Sequence, residues 1–219
     1  MTPLTTFIIP THNRRELLRR AVDSALAQDA PIEIVIVDGG SEDGTGDYLD
    51  TLKGYAHVHI EKLRRDPGMI ETWRIGACIA RTEWIHYQLD DDWVETEFAR
   101  RCEMMTADDV AAVVTQAIVH FPYGKTGMNM PPLETGHSPS QIWRDYLLHS
   151  ELTITPSCAL IRRDSALEHL VCGRIPHSDK RSKLHDCYMM IGALSARART
   201  AWIGEPLAHL CADPGGITI

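Results

Sequence analysis

The chain has 219 residues, with 30 Asp and Glu against 22 Lys and Arg and a formal net charge of -8 at pH 7. That length supports one sizeable core, and the acidic balance weighs against a nucleic-acid partner. Six cysteines without a C-x-x-C spacing suggest neither a zinc knuckle nor a disulfide framework. With no signal-like N-terminus and no apolar run of about 18 residues, the chain reads as soluble and cytoplasmic, without an integral membrane segment.

Along the first half, strands and helices are expected to alternate. "TTFIIP", Thr5 to Pro10, is a short β-rich run, and "NRRELLRRAVDSALAQ" carries Leu17, Leu18, Ala21, Val22, Ala25 and Leu26 at helical spacing. Asn13 and Glu16 form a capping-box pattern at the start of that helix. "EIVIVD", Glu33 to Asp38, is nearly continuous in apolar residues, as a parallel strand buried on both faces would be. The turn "GGSEDGTG" breaks it. A short helix from about Gly46 to Leu52, a strand near His57 to Leu63, a helix near Met69 to Ala80 and a strand at Glu83 to Leu89 continue the rhythm. This predicts an α/β protein with a parallel sheet and right-handed crossovers, whose ligands sit beyond the carboxyl ends of the strands. Pro10 to Arg14, Asp38 to Gly44 and Asp90 to Asp92 all fall at such ends.

In the second half, "VAAVVTQAIVH" is strand-like, and Phe121 to Ser140 reads as a long mobile loop, rich in turn residues and poor in periodicity. "CALIRRDSALEHL" predicts a strand leading into a helix, "HDCYMMIGALSARA" a helix and "TAWIGEPLAHL" an extended segment. The apolar run before Asp90 ends in three consecutive carboxylates, "QLDDDW". Such neighbours repel one another, and each raises the cost of ionising the next. A metal ion, a basic side chain or solvent must offset that repulsion. If the segment is extended, Asp90 and Asp92 share a face and Asp91 points elsewhere.

Taken together, "FIIPTHNR", "EIVIVDGGSEDGT", "LDDDW", "LHDCYMM" and "EPLAHLCADPGGIT", in this order and spacing, resemble the family-two glycosyltransferases, inverting enzymes with the GT-A fold. The resemblance spans nearly the whole chain, leaving out about Val110 to Leu152. "VDGGSEDGT" and "DPGMIETWRIGACIA" look most like members that build bacterial surface polysaccharides. It implies a single GT-A domain over residues 1–219, with a nucleotide-binding half at 1–105 and an acceptor-binding half at 106–219. The implied reaction moves a sugar from a nucleoside-diphosphate sugar, a UDP-sugar being favoured, to a hydroxyl of a saccharide or other acceptor.

Charge grows on the departing diphosphate in that reaction, and the resemblance implies Mn²⁺ or Mg²⁺ as the cofactor that meets it. Asp92 is then the direct metal ligand, Asp90 lies near the donor ribose or the metal's waters, and Asp91 belongs to the donor site. Pro10, Thr11, Asn13 and Arg14 match the loop bordering the nucleoside, and Asp38 matches an acidic residue that binds base or ribose. Asp66 and Gly68 fall where relatives line the base pocket, and Trp93 is the expected pocket wall. Asp186, opening "DCYMMIGAL", matches the base that deprotonates the acceptor, with His185 beside it able to tune it.

The chain departs from the family pattern in places. Gly39 replaces a common Asp, Arg74 a common Asn, and Leu210, Cys211 and Asp213 replace Tyr, Arg and His, leaving His209 as a candidate stand-in. These changes keep open a degenerate protein that binds nucleotide sugar without turnover. "DDDWV" also fits the D-x-D-x-V motif of haloacid-dehalogenase-like phosphatases, but three βα units precede it and no G-D-x-x-x-D follows. A G-x-G-x-x-G dehydrogenase signature is absent, and "PTHNR" stands where a nucleotidyltransferase would carry a Gly-rich basic loop.

Overall fold

The computed structural model describes residues 2–149, 154–170 and 185–212. Strand β1 (Thr5–Thr11) is buried at every position and β2 (Ile32–Asp38) at nearly every one, the pattern of strands covered on both faces. Between them α1 (Arg15–Leu26) buries Leu18, Ala21, Val22 and Ala25, one stripe at helical spacing. The alternation continues through α2 (Thr45–Thr51), β3 (Val58–Lys62), α3 (Met69–Ile79) and β4 (Trp84–Tyr87). Then come β5 (Trp93–Val94), α4 (Phe98–Glu103), β6 (Val110–His120), β7 (Thr126–Met128) and β8 (Gly136–Pro139). The rest is α5 (Ser140–His149), β9 (Ala159–Arg162), α6 (Arg163–His169), α7 (His185–Ser195) and β10 (Arg199–Cys211).

Among the described residues these strands form one ten-stranded sheet in the order β3-β2-β1-β4-β9-β6-β10-β5, with β7 added on β6 and β8 on β10. The first four positions are parallel, as expected. Beyond them the sheet is mixed, because β9 runs antiparallel to both β4 and β6. Two reversals restore direction, so β6 and β10, mutually parallel, run with β1 and β4. The carboxyl ends of β1, β2, β4, β6 and β10 therefore share one edge of the sheet.

Two local expectations are corrected. The segment Phe121 to Ser140 is not structureless: β7 pairs with Ile118 to His120, and β8 pairs with Arg199 to Trp202. Strands of three and four residues are too short to show an alternating pattern. Asn13 does not cap α1. It sits at φ +53°, and its side-chain carbonyl accepts the Glu42 amide, while the free Arg15 amide of the first helical turn is taken by the Asp43 carboxylate. A carboxylate from the neighbouring turn thus serves as the cap.

Helix α3 lies close against the sheet because Gly76 faces it. A Cβ there would stand 2.3 Å from Ile8 Cγ2, far inside contact distance. Farther along, His86 is wholly enclosed between Phe7 and Phe98, with Nδ1 2.9 Å from the Ala159 carbonyl. Burial pushes its pKa down to about 4. The folded ring therefore stays neutral while the unfolded one protonates, and stability present above the ordinary histidine pKa is lost as pH falls through about 6 toward 4. The expected loss is on the order of 3 kcal/mol. Melting curves from pH 7 to pH 4 should fall more steeply for the native chain than for His86→Leu.

Candidate active site

The turn Leu89–Asp92 follows β4. The Asp92 amide donates to the Leu89 carbonyl, so this segment is a tight turn and not an extended strand. The alternation expected for Asp90 and Asp92 is accordingly absent. Asp90 and Asp91 both face Arg14, whose Nη1 lies 3.1 Å from a carboxylate oxygen of each. Asp92 turns toward the end of β10, where its Oδ1 accepts the Cys211 amide at 2.8 Å, and it also accepts the Ser157 hydroxyl.

All three carboxylates are nearly enclosed, at 6, 8 and 4 % exposure in order. Burial raises the Asp90 pKa to about 6, against the pull of Arg14 and the Thr11 hydroxyl, which donates at 2.9 Å. Burial, reinforced by the neighbouring Asp91, raises that of Asp92 to about 7. Arg14 supplies part of the missing positive charge. Arg20 adds more by donating to the Asp91 carbonyl at 2.6 Å.

Beside this turn opens a cavity of about 290 Å³, near the lower end of ligand-site volumes. Of the residues picked out by sequence, Pro10, Thr11, Arg14, Asp66, Asp90 and Asp91 line it. Asn13, Asp38, Gly68 and Asp92 are not among the lining residues. Asp38 accepts the amide and hydroxyl of Ser41 and so fixes the turn after β2, while Asn13 holds the same turn through Glu42. Gly68, at φ +92°, donates its amide to Asp66 and opens α3. Asp186 falls in the first turn of α7, its side chain outside the described part of the structure. Asp213 lies outside the described residues.

Sequence reasoning passed over His12 and, with Trp73 only one of five candidate sugar-stacking tryptophans, preferred Trp93 to the wall formed by Met69, Thr72 and Trp73; all four of these line the cavity. The last three had a legible signal, because they sit at i, i+3 and i+4 on α3. Trp73 supplies the aromatic part of the lining, although its ring is almost wholly buried, 2 % exposed and stacked on Tyr87 at 5.0 Å between centroids. Trp93 is instead stacked against His209 at 4.7 Å, with the Arg20 guanidinium 3.8 Å from its ring centre. His12 is explained by Gly39: a Cβ on Gly39 would meet His12 Nδ1 at 3.3 Å and Asp66 Oδ1 at 3.4 Å. The missing side chain leaves those two groups room over the turn. Arg74 pairs in bidentate fashion with Glu71 on its own helix.

The chemistry available is that of a hard-oxygen site. Among the described residues no three His, Cys, Asp or Glu side chains converge as a ready-made metal cage. Mg²⁺ and Mn²⁺ do not require one, since they are commonly held by one or two carboxylates with phosphate and water completing the shell. The enclosed, under-compensated carboxylates fit that description.

The sequence model of Glycosyl transferase family 2 matches residues 6–170. The chain belongs to that family. An uncharacterized glycosyltransferase of Nostoc sp. is 33% identical over 110 residues, covering 49% of this chain and 34% of that protein. The succinoglycan biosynthesis protein ExoO of Rhizobium meliloti is 32% identical over 100 residues, 45% of this chain and 28% of its own length. A UDP-Glc:alpha-D-GlcNAc-diphosphoundecaprenol beta-1,3-glucosyltransferase of Escherichia coli, WfaP, is 26% identical over 136 residues, 61% of this chain and 54% of that one. This family-2 chain therefore spans about a third of the length of the first two relatives and about half of the third. Its fold matches S. aureus TarS 1-349 in complex with UDP-GlcNAc at a TM-score of 0.75 and 16% identity, over 98% of this chain and 60% of that one. The GT-A fold follows from that likeness. Among the described residues no helix is long and apolar enough to cross a membrane.

The raised carboxyl at Asp92 yields a test. Its ionised form is what the fold disfavours, so stability is gained as pH falls through about 7 and lost as pH rises through it. Asp92→Asn keeps an acceptor for the Cys211 amide and removes the charge. At pH 8 the unliganded variant should melt higher than the native protein, by roughly 2–4 °C for each kcal/mol recovered. A lower melting temperature would show that the ionised carboxylate supports the fold.

Proposed function

We propose that the protein is a metal-dependent inverting glycosyltransferase that acts in the cytoplasm, moving a sugar from a UDP-sugar to a hydroxyl acceptor in surface-polysaccharide or glycoconjugate synthesis. The observation that carries the reading is the enclosed carboxylate turn at the mouth of a cavity walled by Trp73. The edge of the sheet is right for a ligand, and the charge is wrong for an empty one. The printed names of relatives, with UDP-Glc in one and succinoglycan in another, favour this substrate class, as do the UDP and UDP-GlcNAc complexes of TarS.

In this reading the nucleoside lies against Trp73, Met69 and His12, and Asp66 offers an acceptor to the base. Asp38 and Asn13 hold the turn on which that pocket rests. A bound Mg²⁺ or Mn²⁺ would be held by Asp90 and by Asp92, whose carboxylate would have to turn from the Cys211 amide toward the cavity, and would offset the negative charge growing on the leaving diphosphate. Arg14, now shared between Asp90 and Asp91, is then released toward the phosphates, for which a guanidinium fork is well shaped. Asp186 takes the proton from the attacking hydroxyl on the face opposite the diphosphate.

Two measurements test the reading. Calorimetry with UDP should detect binding in Mn²⁺ or Mg²⁺ and little in chelator, and Asp92→Ala should abolish the difference; equal affinity in both conditions would remove the metal role. Asp186→Asn should lower turnover by about 10² to 10⁴ with UDP affinity and melting temperature unchanged. Near-normal turnover in that variant would reduce Asp186 to a helix cap.

A further inference from the structure

Beyond the carboxylate turn, the same edge of the sheet carries a polar chain that donor binding leaves unused. His120 ends β6 in register with Cys211 of β10, whose amide holds Asp92. His209 Nε2 lies 2.8 Å from Glu95 Oε1, and His209 Nδ1 lies 2.9 Å from His120 Nε2. Both imidazoles pack on Trp93 at 4.7 Å between centroids.

Glu95 sets the first donor of this chain, and the tautomer of His209 sets the rest. A carboxylate only accepts, so His209 donates Nε2–H to Glu95, and in the neutral tautomer that leaves its Nδ1 bare. His120 must then donate its Nε2–H to that nitrogen. Its own Nδ1 is left as a lone pair without a hydrogen-bond partner among the described residues. Burial, His209 and Arg20 all hold the His120 pKa below its ordinary value, which keeps the ring neutral. The ionisable groups around it are His209, Glu95, Arg20 and Cys211.

Position gives this lone pair a use. His120 is paired with Cys211, whose amide holds Asp92, and its ring packs on Trp93, the residue that follows the carboxylate turn, so it stands beside that turn and outside the residues that line the cavity. An inverting attack must come from the side away from the diphosphate. We propose that His120 Nδ1, its tautomer set by His209 and Glu95, is the hydrogen-bond acceptor that seats the reacting hydroxyl of a saccharide acceptor. This rests on the glycosyl-transfer reading and extends it. His120 orients the hydroxyl, and Asp186 remains the group that removes its proton.

The test is the partition of donor sugar between water and an added sugar, with UDP-glucose as donor and methyl glucosides as acceptors. His120→Phe keeps a ring against Trp93 but has no lone pair. The fraction delivered to the glucoside should fall roughly tenfold or more, through KM, while UDP affinity stays at the native value. His120→Asn, whose side-chain oxygen can replace Nδ1, should recover much of it. A native partition in His120→Phe, or no difference between the two variants, overturns the subsite. Nitrogen NMR of labelled histidines gives an answer without turnover: Nδ1 of His120 should be unprotonated and should shift when methyl glucoside is added with UDP and Mg²⁺. A protonated Nδ1, or one unmoved by the sugar up to its solubility limit, overturns the proposal. Failure of UDP to bind the native protein would instead remove the transfer reading itself and this subsite with it.

Discussion

Three adjacent carboxylates, each almost enclosed, are the constraint around which the rest is arranged. A lone carboxylate moved out of water would simply take up a proton, and a buried run of three compounds that tendency. The chain answers with partners from separate parts of the fold. Thr11 comes from the end of β1, Arg14 from the entry to α1, Ser157 from the turn before β9, and the Cys211 amide from the end of β10. None of these is close in sequence to the turn. Assembling the charge site therefore requires both halves of the sheet to be in place, and the two halves are tied at the point where chemistry is expected.

The compensation is incomplete, and that incompleteness is informative. Asp90 and Asp92 remain above the ordinary carboxyl range even with those partners. A fold selected for stability alone would have replaced one of them with a neutral residue of similar size. Retaining all three suits a site that receives further positive charge with its ligand, and strain of this kind collects where function is carried.

Much of this was legible in the sequence, for reasons that differ from element to element. β1 and β2 announced themselves because strands covered on both faces must be apolar throughout, and α1 because its buried stripe repeats at helical spacing. β9 was legible as a strand, but its place between β4 and β6 was not. Four residues carry no record of their neighbours, and that choice decides which later strands run with the first four. At the site, family motifs pointed to Thr11, Arg14, Asp66, Asp90 and Asp91, which do line the cavity. The orientation of Asp92 was hidden because it depends on an amide more than a hundred residues away. Trp93 was misjudged for a similar reason: its ring partners, Arg20, His120 and His209, come from other elements and cover the ring that a sugar would need.

Gly76 has a bearing on the cavity that its own position conceals. It touches no ligand-facing group, yet it sets how deeply α3 sits on β1, and α3 carries Met69, Thr72 and Trp73 as one wall. The width of the cleft is thus gauged by a backbone resting on a strand and not by the side chains that line it. Changes in the lining side chains would then alter what the cleft accepts while its aperture stays constant. Substitutions at Ile8, on the far side of that contact, are where the aperture itself would drift.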